Sequence, residues 1–235
     1  MSDTQRNYLV VGGGSGIGLE LTRRLVDDGA SVTVWSRAAH DDLSALGVEH
    51  VAVDVSEPIE GVSLPATLDG VAYCPGSITL APFSRLSDDS FLQDYTINLL
   101  GAVRVLRLVL PALVERPGSS VVLFSTVAVG TGLTFHASIS SAKAAVEGLA
   151  RSLAAEYAPK RVRFNVVAPS LTDTPLAAQL LSNDKKREAS AERHPLGRVG
   201  EPADIAAAAH YLLSPHSGWV TGQTIHVDGG MSTLR

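Results

Sequence analysis

Five glycines and a serine fall within seven residues, Gly12-Gly13-Gly14-Ser15-Gly16-Ile17-Gly18, directly after a short apolar run and directly before a helical pattern. A strand-to-helix turn of this kind needs positive φ and lets backbone approach a ligand closely, while the helix N-terminus offers unpaired N–H groups and positive dipole. Gly12, Gly14, Ser15, Gly16, Ile17 and Gly18 are therefore candidate contacts for a pyrophosphate. The spacing, Gly-x3-Gly-x-Gly, differs from the Gly-x-Gly-x-x-Gly dinucleotide fingerprint. A tight turn that binds nothing is the competing reading. The end of the second apolar run reads Val34-Trp35-Ser36-Arg37, with no carboxylate to accept from an adenosine ribose. Ser36 and Arg37 suit a 2′-phosphate instead, because guanidinium pairs with phosphate through two parallel hydrogen bonds. NADP(H) is thus expected over NAD(H). Asp54, in Val53-Asp54-Val55, is placed to accept from an adenine amino group or to cap a turn.

The elements that must hold these residues follow from the rest of the chain. Its 235 residues suffice for one sizeable core, with 45% apolar residues and a net charge of −5. That charge gives no global attraction to nucleic acid. The densest basic run, Lys185-Lys186-Arg187, is diluted by Asp184 and Glu188 and reads as a solvated helix face. A lone Cys74 cannot form an internal disulfide, and the polar start of the chain carries no signal segment, so a cytoplasmic protein is expected. No run approaches the roughly 18 apolar residues of a membrane span, and no metal-ligand set stands out. Short β-branched runs at 8–11, 31–36, 50–53, 71–74, 119–125, 161–167 and 224–227 alternate with helical patterns at 17–28, 88–115, 138–158 and 202–213. The expected fold is α/β: a Rossmann-type doubly wound parallel sheet of about seven strands with helices on both faces, in a single domain over 1–235. A segment at about 171–194 is the candidate substrate lid.

Further residues make the chain resemble a classical short-chain dehydrogenase/reductase over nearly its whole length. They are Asn98 in Asn98-Leu99-Leu100-Gly101, Lys143 in Ser141-Ala142-Lys143-Ala144-Ala145, the stretch from Asn165 to Thr174, Pro195-Leu196-Gly197-Arg198, and Thr221-Gly222-Gln223 through Val227-Asp228-Gly229-Gly230. The resemblance implies hydride transfer between a nicotinamide and a small carbonyl or alcohol. It implies catalytic roles for Asn98 and Lys143, and cofactor contacts at Val55, Lys143, Pro169, Thr172 and Thr174. It also implies a homotetramer or homodimer.

The pattern breaks at the chemistry. Four residues before Lys143, where the family has its tyrosine proton donor, stands Ile139. Thirteen residues before that, at the position of the catalytic serine, stands Thr126. The glycine after the sixth strand is Ser170, and the Asn-Asn-Ala-Gly element appears as Tyr73-Cys74-Pro75-Gly76. A general acid contributes typically about 10²- to 10⁴-fold, so its loss needs an answer. One is another donor: His136, three residues before Ile139, is the foremost candidate, with Ser138 and Ser140 near it and Thr126 as an oxyanion donor. A loop histidine before a helix capped by Ser138 is its plain alternative. A second is a substrate, such as an iminium ion, that already carries the charge hydride neutralises, or non-redox chemistry in the same pocket. A third is a dinucleotide-binding sensor or structural protein without chemistry. Ile139 is expected to line the substrate pocket.

Overall fold

The computed structural model describes residues 5–234; residues 1–4 of the polar start, and residue 235, lie outside it. Seven strands form one parallel sheet: β1 (Asn7–Val11), β2 (Ser31–Ser36), β3 (Glu49–Ala52), β4 (Gly70–Tyr73), β5 (Ser120–Phe124), β6 (Arg163–Pro169) and β7 (Thr224–Val227). Their order is β3-β2-β1-β4-β5-β6-β7. Every central strand is buried along its length because helices cover both faces, and this is why the runs are apolar rather than alternating.

The helices are α1 (Gly16–Asp27), the short α2 (Asp41–Ala45), α3 (Asp88–Tyr95), α4 (Gly101–Val114), the short α5 (Ala128–Thr131), α6 (Ala137–Tyr157), α7 (Asp184–Ala191) and α8 (Pro202–Leu213). Two buried clusters sandwich the sheet. Val105, Val109, Leu113, Val146 and Ala150 of α4 and α6 pack one face, and Leu21, Leu25, Ile205 and Leu212 of α1 and α8 pack the other.

Three sequence expectations are corrected. The pattern at 88–115 is not one uniform helix. A π-helical turn, Thr96–Leu100, separates α3 from α4. The phenol of Tyr73 donates to the Ile97 carbonyl across 2.6 Å, and Gly101 leaves room for that ring because a Cβ there would strike its hydroxyl. The extra residue in the turn is thus held by a side chain from β4. Second, α6 begins at Ala137 with His136 at the N-cap position, and Ser138 does not cap it. The Ser138 hydroxyl instead donates to the buried Asp94 carboxylate at 2.6 Å. Third, the helical stretch Asp88–Val114 is by length and composition apolar enough to span a membrane, contrary to the expectation of no such run. Its buried side chains belong to the domain core.

Candidate active site

The strand order reverses between β1 and β4, and the crevice at their carboxyl ends is where a parallel sheet leaves room for a ligand. A cleft of about 790 Å³ opens there. The predicted cofactor residues Gly12, Gly14, Ser15, Gly16, Ile17, Gly18, Ser36, Arg37, Asp54, Val55 and Thr174 all line it. The turn requires its glycines. Gly12 and Gly16 have φ of 76° and 51°, and a Cβ on Gly18 would strike the Gly12 carbonyl oxygen. With those side chains absent, the N-terminus of α1 faces the cleft.

At the far wall, Ser36 donates to the Ala38 carbonyl at 2.8 Å and meets His50 Nε2 at 2.9 Å, so its hydroxyl is held in place. Arg37 forms no ion pair among the described residues. Its charge helps lower the Asp54 carboxyl, although the Ser56 hydroxyl and N–H, both bonded to Asp54 Oδ1, are the larger cause. That Asx turn is the capping role foreseen for Asp54. His40 also lines the cleft, and a Cβ on Gly14 would sit 2.6 Å from its ring. No periodicity or motif marks His40 in the sequence.

A second cavity of about 290 Å³ adjoins the first, the two sharing Ile17, Cys74, Gly76, Thr174 and Leu176. Thr126, His136, Ile139 and Lys143 line it, as do Pro169 and Thr172, which therefore lie on this side rather than in the cleft. Lys143 is only 8% exposed, which excludes an ordinary surface lysine. Its Nζ donates to the Phe124 carbonyl at 2.9 Å. Burial lowers its pKa to about 8, opposed by Cys74 and Asp94. Burial likewise pushes the Cys74 thiol up to about 12, opposed by the Lys143 charge.

Asn98 lies just behind the cavity wall inside the π-turn. Its amide donates to the Ser77 hydroxyl at 2.9 Å and to the Asp94 carbonyl at 2.8 Å. Its Oδ1 is buried and has no partner among the described residues. That oxygen and Lys143 Nζ lie 3.3 and 3.7 Å from where a Cβ on Gly76 would sit. A lone acceptor and an ammonium thus flank one point, an arrangement suited to a polar guest. Asp94 is fully buried and fixes the surroundings by accepting from Ser77, Thr79 and Ser138.

Thr126 accepts from the Ala128 N–H at 3.3 Å, which leaves its own proton available to the cavity. Ser125 is committed elsewhere, to the buried Glu147. His136 Nδ1 bonds the Thr134 carbonyl at 2.7 Å, so Nδ1 is the donor and the neutral ring can only accept at Nε2. It could give a proton only as imidazolium. Ile139 is buried beside these groups and puts only hydrocarbon into the cavity. Tyr95 reaches the Ser141 carbonyl on α6, a packing role.

The segment 171–194 covers the cavity. Arg187 of α7 pairs with Asp173 at 2.7 Å, and Leu176, Ala177, Leu180 and His194 line the wall. The Thr174 hydroxyl, 3.4 Å from the Thr172 carbonyl, caps no helix. Two polar residues here went unassigned by sequence reasoning: Ser170, noticed only as a departure from a glycine, and His194, joined to it across 24 residues by the fold.

Residues 12–232 match a family model described as Enoyl-(Acyl carrier protein) reductase. Among curated proteins, the chain is 32% identical over 240 residues to the L-xylulose reductase of Bos taurus, covering 96% of each. It is 32% identical to a galactitol 2-dehydrogenase (L-tagatose-forming) of Cereibacter sphaeroides, covering 94% of this chain and 92% of that one. Among solved structures, a short-chain type dehydrogenase/reductase from Mycobacterium ulcerans aligns with TM-score 0.89 and 30% identity over 100% of this chain and 92% of that one. A structure described as ElxO with NADP bound shares the fold, with TM-score 0.88 at 21% identity over 97% and 99% of the two chains.

Proposed function

The chain belongs to the short-chain dehydrogenase/reductase family of oxidoreductases, and from that premise we propose that it is an NADP(H)-dependent enzyme with an altered active site, reducing a small carbonyl or imine or oxidising the corresponding alcohol or amine. One observation carries the reading: a cleft shaped by obligatory glycines opens directly onto a cavity where the buried Lys143 and the unpartnered Oδ1 of Asn98 flank one point. The residues fit a nicotinamide dinucleotide. The turn from Gly12 to Gly18 would hold the pyrophosphate, Ser36 and Arg37 the 2′-phosphate, Asp54 and Val55 the adenine, and Lys143, Pro169, Thr172 and Thr174 the nicotinamide end. Arg37 and the missing carboxylate after β2 favour the phosphorylated cofactor.

When bound, the nicotinamide supplies or takes up hydride. The protein's own part is to exclude water from an apolar cavity, to keep the Lys143 charge beside the ribose, and to manage the substrate's proton. Ile139 stands where the family's tyrosine belongs and cannot do the last of these. Thr126 can donate a hydrogen bond to a developing oxyanion. An iminium substrate needs no acid at hydride transfer, because hydride neutralises its charge, and the apolar Ile139 favours such a guest. The proposal extends to a cytoplasmic homodimer or homotetramer.

Turnover of NADPH with a panel of small ketones and cyclic imines tests the reading. Oxidation of NADPH dependent on a member of the panel, and reduced in Lys143→Met, is the expected result. NADPH binding without turnover of either class would leave a nucleotide-binding protein without redox chemistry.

A further inference from the structure

We propose that Ser170 and His194 form a proton-handling pair that does in this cavity what Ile139 cannot. The proposal rests on the reading above that the cavity hosts carbonyl or alcohol chemistry. Ser170 follows β6, and His194 follows α7. Ser170 Oγ lies 2.8 Å from His194 Nε2, and His194 Nδ1 lies 2.8 Å from the Ser190 carbonyl. Both side chains line the cavity that holds Ile139 and Lys143.

The geometry fixes the proton positions of the neutral pair. A carbonyl oxygen only accepts, so Nδ1 carries the hydrogen and Nε2 presents its lone pair. Ser170 must then be the donor to Nε2. The result is a base, held by a third group and reached through a hydroxyl, the arrangement that activates an O–H for transfer. His194 is 3% exposed and its orientation is enforced. The Ser190 carbonyl anchors one edge, and Gly229 packs against the ring, since a Cβ there would lie 3.5 Å from His194 Cβ and 3.7 Å from Cδ2. His136 has none of this support beyond one bond to its own loop.

The proton balance closes in both directions. In alcohol oxidation, a bound oxidised nicotinamide would take the carbinol C–H pair as hydride while the O–H pair becomes the second C=O bond. The alcohol proton passes to Ser170 Oγ as the Ser170 proton passes to Nε2, leaving imidazolium. In reduction, which starts from the imidazolium form, hydride from a bound reduced nicotinamide would form the new C–H bond as the carbonyl π pair moves to oxygen. Ser170 donates its proton there, and Nε2–H refills Ser170, leaving the neutral ring. Protonation of His194 therefore decides which way the Ser170 hydrogen points. The charged groups on the elements around the ring are Arg193 on its own turn, Lys143 on α6 and Asp228 on the turn that carries Gly229.

The variants are Ser170→Gly, which installs the residue the family pattern has there, Ser170→Thr and His194→Gln. Side-chain ¹⁵N spectra of the nucleotide-free protein read the pair without any turnover. His194 is expected as the Nδ1–H tautomer, with an Nε2 signal that moves in Ser170→Gly. The opposite tautomer, or a signal indifferent to that change, overturns the pair. Its role is read from turnover of NADPH with acetophenone and cyclohexanone against 1-methyl-3,4-dihydroisoquinolinium, which needs no proton. Ketone kcat should fall about 10²-fold in Ser170→Gly and His194→Gln and recover in part in Ser170→Thr, while iminium kcat stays within about threefold. Equal losses on both substrates, unchanged ketone turnover, or a wild type that reduces only the iminium overturns the role. Failure of the wild type to bind NADPH in calorimetry is a separate result: it removes the oxidoreductase reading, and the catalytic role with it, even if the tautomer is as expected.

Discussion

Lys143 is protonated at neutral pH inside an environment that disfavours its charge, because burial holds its pKa at about 8 against an unfolded value of about 10.4. Between those values the unfolded chain binds more protons than the folded one. Stability therefore rises with pH across that window and is lower below it, the reverse of a lysine that gains an ion pair. In urea denaturation of the nucleotide-free protein, the stability of wild type relative to Lys143→Met should therefore rise from about pH 7.5 to about pH 10. The buried Cys74 thiol and Tyr73 phenol, whose raised pKa values act in the opposite sense, are common to both chains. Such a lysine is poised for an anionic or polar partner, which a bound nucleotide would provide. The neighbouring Ile139 supports a second prediction: in a Ser170→Gly background, which lacks the native proton donor, Ile139→Tyr should restore ketone reduction by about 10²-fold while leaving NADPH affinity unchanged, as measured by initial rates and titration. At this scale Lys143, Asn98, Thr126 and Ile139 were legible, because their spacing along one chain carries the pattern. Ser170 and His194 were not, because only the packing of the 171–194 segment brings them together.

The π-turn at Thr96–Leu100 shows how an element sets a residue. It places Asn98 with both amide hydrogens engaged and its Oδ1 toward the space beside Lys143. Tyr73 secures the turn, and burial pushes its phenol well above the ordinary range, so it remains a neutral donor. Tyr73→Phe should cost about 1–3 kcal/mol in chemical denaturation, because the Ile97 carbonyl loses its partner. It should also reduce turnover through Asn98. The strands were readable to within two residues at each end, since buried parallel strands declare themselves as apolar runs. The helical period at 88–115 hid the interruption, because one extra residue in a helix barely disturbs the apolar spacing. The early start of α6 was hidden for a related reason. Ser138 is a good cap by residue type, but the buried Asp94 carboxylate, 44 residues away, competes for its hydroxyl and wins.

At the scale of the molecule, the order of strands and helices in the sequence was enough to place the crevice, since right-handed crossovers leave a parallel sheet one switch point at its carboxyl edge. Both cavities lie there, and the glycine turn, the end of β2 and α6 converge on them. Because only the folded chain presents that convergence, a nucleotide at a hundredfold its Kd should stabilise the protein by about 2.7 kcal/mol, a rise in Tm of roughly 5–10 °C in a thermal scan. What the whole chain could not disclose was the loop-borne part of the second cavity's lining, such as Ser170 and His194, whose side chains meet only after folding. Whether the cleft holds NADP(H) is answered by calorimetric titration with NADPH and NADH on the wild type and on Arg37→Ala. NADPH should bind more tightly than NADH, and Arg37→Ala should weaken NADPH by about 10- to 100-fold, the loss of charge-assisted bonds to one phosphate, while leaving NADH unchanged. Equal affinities that ignore the substitution would contradict the cofactor assignment, and no binding of either nucleotide would contradict the account as a whole.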